Sequence, residues 1–265
     1  MHAFDYHRPS NVKEALALAS RKDEGRYLAG GQSLVQAMKL RLSSPTDLID
    51  LNAIGDLKAL KAESNVVTIG AMVRHAEVAA SSGVRKAIPA LASLAGIIGD
   101  RQVRHMGTLG GSLANNDPAA DYPAAVLALG ATIVTDKRKI EADKFFKGLY
   151  ETALGPGELI TAVSFPVPKR AAYMKFKNPA SRFAIVGVFV ADFGGKVRVG
   201  VTGAGPCAFR QADMEKALAA KFAPESVASI KVKADGLNSD LHASPEYRAH
   251  LITVMAKRAV EAAMK

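Results

Sequence analysis

One cysteine, Cys207, and no tryptophan occur in 265 residues. A single thiol cannot build a disulfide within the chain, a self-contained iron–sulfur cluster or a cysteine-rich zinc site. Cys207 follows Gly205-Pro206 and reads as a small packed residue rather than a reactive thiol. The histidines (His2, His7, His75, His105, His242 and His250) are scattered without metal-ligand spacing, and no nucleophile–base pair stands out. Aromatic residues make up 6% and are not interleaved with basic ones, which leaves a stacking platform for single-stranded nucleic acid unsupported. Long apolar runs are also missing: the stretch from Pro123 to Val134 is too short to cross a bilayer. The opening Met-His-Ala-Phe-Asp has neither a basic nor an apolar leader segment, so the expectation is a cytoplasmic protein with no membrane span.

What is present fits a soluble globular chain. Hydrophobic residues reach 49% and charged residues 23%, enough to bury real cores. The length predicts two or three compact units. The 35 basic against 25 acidic residues leave a net charge of +10, compatible with an anionic cofactor, an acidic partner subunit or nucleic acid. The basic residues are dispersed, and their densest run, Lys137-Arg138-Lys139, reads as a solvated hairpin tip. Nucleic acid is therefore not an expected partner.

Asn11 followed by Glu14 predicts a capping box opening a helix over 12–20. A strand over 26–29 runs into Gly30-Gly31, helix signals resume at Leu34, Val35 and Met38, and 47–51 reads as a second strand. A new unit begins near Asn65, with strands expected over 66–70, 131–135 and 159–165. Helices are expected over 76–80, 88–94 and 119–129, and Pro166 and Pro168 mark a boundary. Two strands, 184–193 and 196–202, flank Gly194-Gly195 as a hairpin, and the apolar spacing of Leu251, Val254, Met255 and Val260 predicts a closing helix. The expected units are 1–55, 56–165 and 166–265.

Two glycine pairs carry most of the functional information: Ala29-Gly30-Gly31-Gln32-Ser33 and Thr108-Leu109-Gly110-Gly111-Ser112. Each follows strand-like or apolar sequence and closes on a small hydroxyl residue. Glycines permit positive φ and bring backbone N–H groups close to a ligand, so the pair reads as two cradles for one anionic ligand. The plainer alternative is two tight turns. Neither stretch ends in Gly-Lys-Ser/Thr or contains Gly-x-Gly-x-x-Gly, so neither a Walker loop nor a Rossmann fingerprint is present.

Taken together, these residues resemble the medium, FAD-binding subunit of molybdenum hydroxylases, the family of carbon monoxide and xanthine dehydrogenase flavoproteins. The similarity spans Phe4-x-Tyr6-x-x-Pro9 and Glu14-Ala15-Leu16, then Ala29 to Leu34 with Met38-Lys39-Leu40-Arg41. It continues through Gln102-Val103-Arg104-x-x-Gly107 to Leu113, Asp117-Pro118-Ala119-Ala120-Asp121, and Tyr247-Arg248-x-His250-Leu251. The resemblance implies an α+β fold: two α/β subdomains of the vanillyl-alcohol-oxidase type clasping FAD, plus a C-terminal domain of antiparallel sheet and helices. By resemblance, the backbone of Ala29, Gly30, Gly31, Gln32 and Ser33 holds the pyrophosphate. Thr108, Gly110, Gly111 and Ser112, with Asn116, line the phosphate and ribitol region.

Asp121 matches an acidic residue that hydrogen-bonds the FAD, or else serves as a helix-start carboxylate. Ile160 stands where the family makes a main-chain contact to the adenine. Lys175, with Lys177 as the competing choice, matches a basic residue near the flavin. Gln32, Ser112 and Asn116 depart from common family residues, and Phe183 stands where some relatives have a tyrosine near the isoalloxazine.

The resemblance implies partners as well: a large molybdenum-binding subunit and a small subunit with two [2Fe–2S] centres, as a dimer of heterotrimers. Electrons arriving at the FAD would pass to NAD⁺, a quinone or oxygen. Molybdenum cofactor and clusters belong to the partners, so this chain needs no metal ligands or catalytic side chain of its own. The rival readings are a free-standing FAD oxidoreductase acting on its own substrate and a non-catalytic assembly subunit.

Overall fold

The computed structural model describes residues 1–20 and 24–265. It is built on three main sheets. A parallel sheet orders Asp5–His7, Asp47–Asp50 and Gly25–Leu28, with the fully buried Asp47–Asp50 in the middle. Helices Val12–Ala19 and Leu34–Lys39 provide the connections that parallel pairing requires. An antiparallel five-stranded sheet orders Leu60–Ala62, Val66–Gly70, Ile160–Pro166, Thr132–Thr135 and Lys139–Glu141. The third sheet is antiparallel as well, with Arg170–Lys177, Ala184–Asp192, Val197–Thr202 and Phe209–Arg210 in sequence order.

The expected elements are present with small shifts at their ends. Asn11 caps the first helix, accepting the Glu14 N–H at 2.9 Å. The Glu14 carboxylate reaches past Asn11 to the Ser10 N–H at 2.8 Å, so the reciprocal box is displaced by one residue. Helices over 75–80, 89–96 and 122–128 and the hairpin across Gly194-Gly195 also form. The short edge strands Asp5–His7 and Leu60–Ala62 and the strand Arg170–Lys177 carry no clean alternation and were not legible.

Ala184–Asp192 explains how the C-terminal sheet meets the rest. All nine residues are buried, because both faces are covered. Val186, Val188 and Val190 pack with Leu251, Ile252, Met255, Ala256 and Val260 of helix Pro245–Ala263. Phe189 and Ala191 join the core formed by the middle sheet and its helices. Helix Tyr122–Ala128 lies directly on the next strand, where a Cβ on Gly200 would overlap the Ala124 carbonyl. The Thr202 hydroxyl contacts the carbonyls of Pro118 and Ala120, and Arg198 Nε donates to the Leu127 carbonyl at 2.8 Å. Segment 118–130 is thereby fixed from the C-terminal side.

The basic run at 137–139 is less free than a solvated tip. Arg138 forms a two-pronged pair with the buried Glu158 at 2.9 Å on each prong. That guanidinium holds the Glu158 carboxyl down to about 2, against the effect of burial. The pair secures the segment that precedes Ile160.

Candidate cofactor site

The first glycine stretch leaves strand Gly25–Leu28 at its C-terminal end, the usual place for ligand loops in a parallel sheet. Gly31 has φ +70°, a conformation glycine adopts without strain. Gln32 and Ser33 are exposed, and Ser33 stands at the start of helix Leu34–Lys39 with no side-chain capping bond. The first helical bond runs from the Val35 N–H to the Gly31 carbonyl at 3.2 Å, so the N–H groups of 31–34 precede the hydrogen-bond ladder. A residue not singled out from sequence fixes this loop. Asn52 Nδ2 donates to the Ala29 carbonyl at 3.0 Å, and Asp50 holds Asn52 through both its backbone and its amide. An Asp-x-Asn just past a buried strand was the available signal.

The second stretch is a helix, Leu109–Asn115, rather than a turn, which corrects the backbone premise drawn from its glycines. Neither Gly110 nor Gly111 has positive φ. Their smallness serves close approach. A Cβ on Gly110 would come within 2.5–2.9 Å of Ala71, and one on Gly111 would meet Thr108 Oγ1 at 2.9 Å and the Ala29 Cβ at 3.5 Å. Several N–H groups expected to face a ligand are already used. Leu109 donates to the Val73 carbonyl, Gly110 to the Ala71 carbonyl at 2.8 Å, and Gly111 to Thr108 Oγ1 at 3.2 Å. Thr108 keeps its hydroxyl proton for donation, and Ser112 is half-buried.

The two stretches converge. A Cβ on Gly30 would overlap the Met106 carbonyl and come within 2.7 Å of Gly107 Cα, so the backbones touch. Gly111 faces Ala29 from the other side. Gly107 rests on His75, which is buried against Tyr122 with ring centroids 5.3 Å apart. Burial, reinforced by Arg104, pushes His75 down to about 4, so it is neutral there.

Ile160 is buried at the start of its strand, opposite Thr135, just before a register shift. The next residue, Thr161, accepts the Ala71 N–H at 2.9 Å, and Ala71 in turn accepts from Gly110. Asn116 closes the second helix in left-handed geometry, φ +44°. Its amide donates to the carbonyls of Gly148 at 2.9 Å and Glu151 at 2.8 Å, tethering the hairpin of Phe146–Gly148 and Glu151–Thr152; the buried Oδ1 has no partner among the described residues. Asp121 and Lys175 meet each other. Their side chains are 4% and 3% exposed, with Lys175 Nζ 3.0 Å from Asp121 Oδ1 and the Tyr173 hydroxyl donating to Asp121 at 2.5 Å. Burial raises the Asp121 carboxyl while Lys175 opposes that rise. Lys177 is exposed, beyond a register shift in its strand.

Residues 2–168 match the family described as the FAD binding domain in molybdopterin dehydrogenase. The chain belongs to this family. It is 36% identical to the carbon monoxide dehydrogenase medium chain of Afipia carboxidovorans, over 98% of this chain and 96% of that one. It is 35% identical to the nicotine 6-hydroxylase medium subunit of Paenarthrobacter nicotinovorans, over 97% and 96%. A reconstituted carbon monoxide dehydrogenase from Oligotropha carboxidovorans superposes with a TM-score of 0.91 at 34% identity, covering 99% of this chain and 98% of that one. The cofactor of this family member is FAD, and the chain is the flavoprotein component of a molybdenum-hydroxylase-type oxidoreductase. The geometry fits that cofactor: Cβ atoms at Gly30 or Gly111 would intrude between the converging stretches, and the first loop ends on exposed polar groups.

Proposed function

We propose that this chain is the electron-transfer subunit of a larger assembly, taking electrons from [2Fe–2S] centres on a small partner subunit. Those electrons originate at a molybdenum site on a large partner subunit and leave for an external acceptor such as NAD⁺, a quinone or oxygen. A dimer of heterotrimers is the assembly this reading favours. One observation supports it: the chain belongs to an FAD-binding family but has only one cysteine, half-buried Cys207, whose thiol burial pushes up. The ligands of any cluster feeding the flavin must then come from another chain.

FAD supplies the one- and two-electron redox chemistry when bound. This chain's residues bind and orient it. On this reading the backbone of Ala29 to Ser33 takes the pyrophosphate, with donors that precede the helix ladder. Thr108 and Ser112 add hydroxyl donors from the opposite wall, and Gly111 keeps that wall open. Ile160 offers main chain at the adenine end. Asn116 retains a single buried acceptor, since its amide is committed to the 146–152 hairpin. The test is affinity capture of the native chain followed by metal analysis. Co-purifying subunits that carry molybdenum and iron are expected; capture of a lone, metal-free chain would overturn the complex.

A further inference from the structure

A relay of side-chain hydrogen bonds runs from the exposed edge of the parallel sheet to the first glycine stretch. The Tyr6 hydroxyl, on edge strand Asp5–His7, donates to Asp50 Oδ2. The other oxygen, Oδ1, accepts the Asn52 N–H at 2.9 Å and Asn52 Nδ2 at 2.7 Å. The second Nδ2 proton goes to the Ala29 carbonyl at 3.0 Å. Tyr6 is 55% exposed whereas Asp50 is buried, so a surface hydroxyl supplies one of the partners that a buried carboxylate requires. The same strand has a second side-chain tie, His7 Nε2 to Asp47 Oδ1 at 2.7 Å. Tyr6 pairs across from Leu48 and His7 from Ile49, so the two ties leave the strand on opposite faces. The tie from Tyr6 is the one that leads to Asn52.

Asn52 stands on a segment that is also bound to the backbone beneath the second stretch. The Met72 N–H donates to the Leu57 carbonyl at 2.8 Å, and the Gly70 N–H to the Ala59 carbonyl at 2.7 Å. The approach is close, because a Cβ on Gly70 would overlap the Leu57 carbonyl. Ala71, between those two residues, accepts the Gly110 N–H at 2.8 Å. Lys58 Nζ also donates to the Asn52 carbonyl at 2.6 Å, steadying the residue on its own segment. Residues 50–59 are thus fixed to the backbone that carries Gly110, and through Asn52 they take hold of Ala29. Ala29 in turn faces Gly111, where a Cβ would stand 3.5 Å from its own. The bond from Asn52 sets how Ala29 stands against the second stretch.

We propose that Asn52, held by Asp50 and Tyr6, is a positioning residue for FAD binding. It fixes the first glycine stretch relative to the second before the cofactor arrives. This rests on the reading that the two converging stretches wall the cofactor. The exposed Tyr6 hydroxyl then influences cofactor retention through two intervening side chains. A stretch ordered in advance spares binding the cost of ordering it.

The experiment uses the protein as purified with its FAD and any subunits that accompany it. Asn52→Ala cuts the bond to Ala29. FAD release, followed by the recovery of flavin fluorescence, should become about five- to ten-fold faster, the equivalent of one net hydrogen bond. Tyr6→Phe keeps the exposed ring and removes only the hydroxyl; release should quicken in the same direction, but less. His7→Asn cuts the other tie of the same strand and should leave release unchanged. Hydrogen exchange of the FAD-free chain reads the tie independently. The Val35 N–H, whose acceptor is the Gly31 carbonyl, should exchange faster in the Asn52 and Tyr6 variants, while amides of helix Pro245–Ala263 keep their rates. Unchanged Val35 exchange in both variants would overturn the tie. Release quickened as much by His7→Asn as by Tyr6→Phe would reduce the relay to a loosened edge strand and overturn it too. Faster exchange with unchanged FAD release would instead refute the placement of the cofactor against the first stretch, and the inference with it.

Discussion

The Met106 carbonyl occupies the space that a Cβ on residue 30 would need, so the two stretches proposed to hold the cofactor meet backbone to backbone at Gly30. Contact this close cannot be relieved by a rotamer change, because a carbonyl of the main chain is the obstacle. Gly30→Ala should therefore separate the two stretches, costing about 1–3 kcal/mol and lowering the FAD retained per chain. Flavin absorbance of the purified variant measures it. Full FAD content with an unchanged melting temperature would show that the stretches do not meet as described.

Asn116 combines a left-handed backbone with two hydrogen bonds to the 146–152 hairpin. Asn116→Gly keeps the backbone easy and loses the bonds, at about 1–3 kcal/mol. Asn116→Ala loses both, adding roughly 1–2 kcal/mol for the left-handed conformation. Thermal unfolding should rank the natural chain above the glycine variant and that above the alanine variant. A glycine variant as stable as the natural chain would deny the tether.

His75 gives the protein an acid-sensitive element. The folded chain keeps its pKa near 4 against an ordinary 6.5, through burial first and Arg104 second. The unfolded chain therefore binds the proton more readily. Stability is fully present above about pH 6.5 and declines as pH falls toward 4, by roughly 3 kcal/mol over that window. Urea midpoints at several pH values should show this slope, and His75→Phe should flatten it. Equal slopes in both proteins would remove His75 from the account.

The fold was most legible where a single local signal governs it. The capping pair at 11–14, Gly194-Gly195 and the spacing from Leu251 to Val260 each specify an element without help from distant residues. Glycines were legible as important but not for the right reason at 110–111. Close packing on Ala71 gives the same sequence mark as positive φ, and only tertiary contact separates the two. The charged residues were least legible. By resemblance Lys175 is expected to be a basic residue near the flavin, yet a strand that places Tyr173 and Lys175 on the side of Asp121 pairs its charge with a buried carboxylate. Arg138 likewise looks like part of a solvated tip until Glu158, distant in sequence, meets it. The link from Asn52 to Ala29 could have been suspected from Asp50-x-Asn52, whose side chains commonly hydrogen-bond nearby backbone.

FAD itself offers the most direct test of the central claim. Denaturing the purified full-length chain and quantifying the released nucleotide by its absorbance and chromatographic retention should yield FAD at about one equivalent per chain, the occupancy expected of a single preorganised cleft. A colourless chain that releases no flavin, and takes none up when FAD is supplied, would contradict the account.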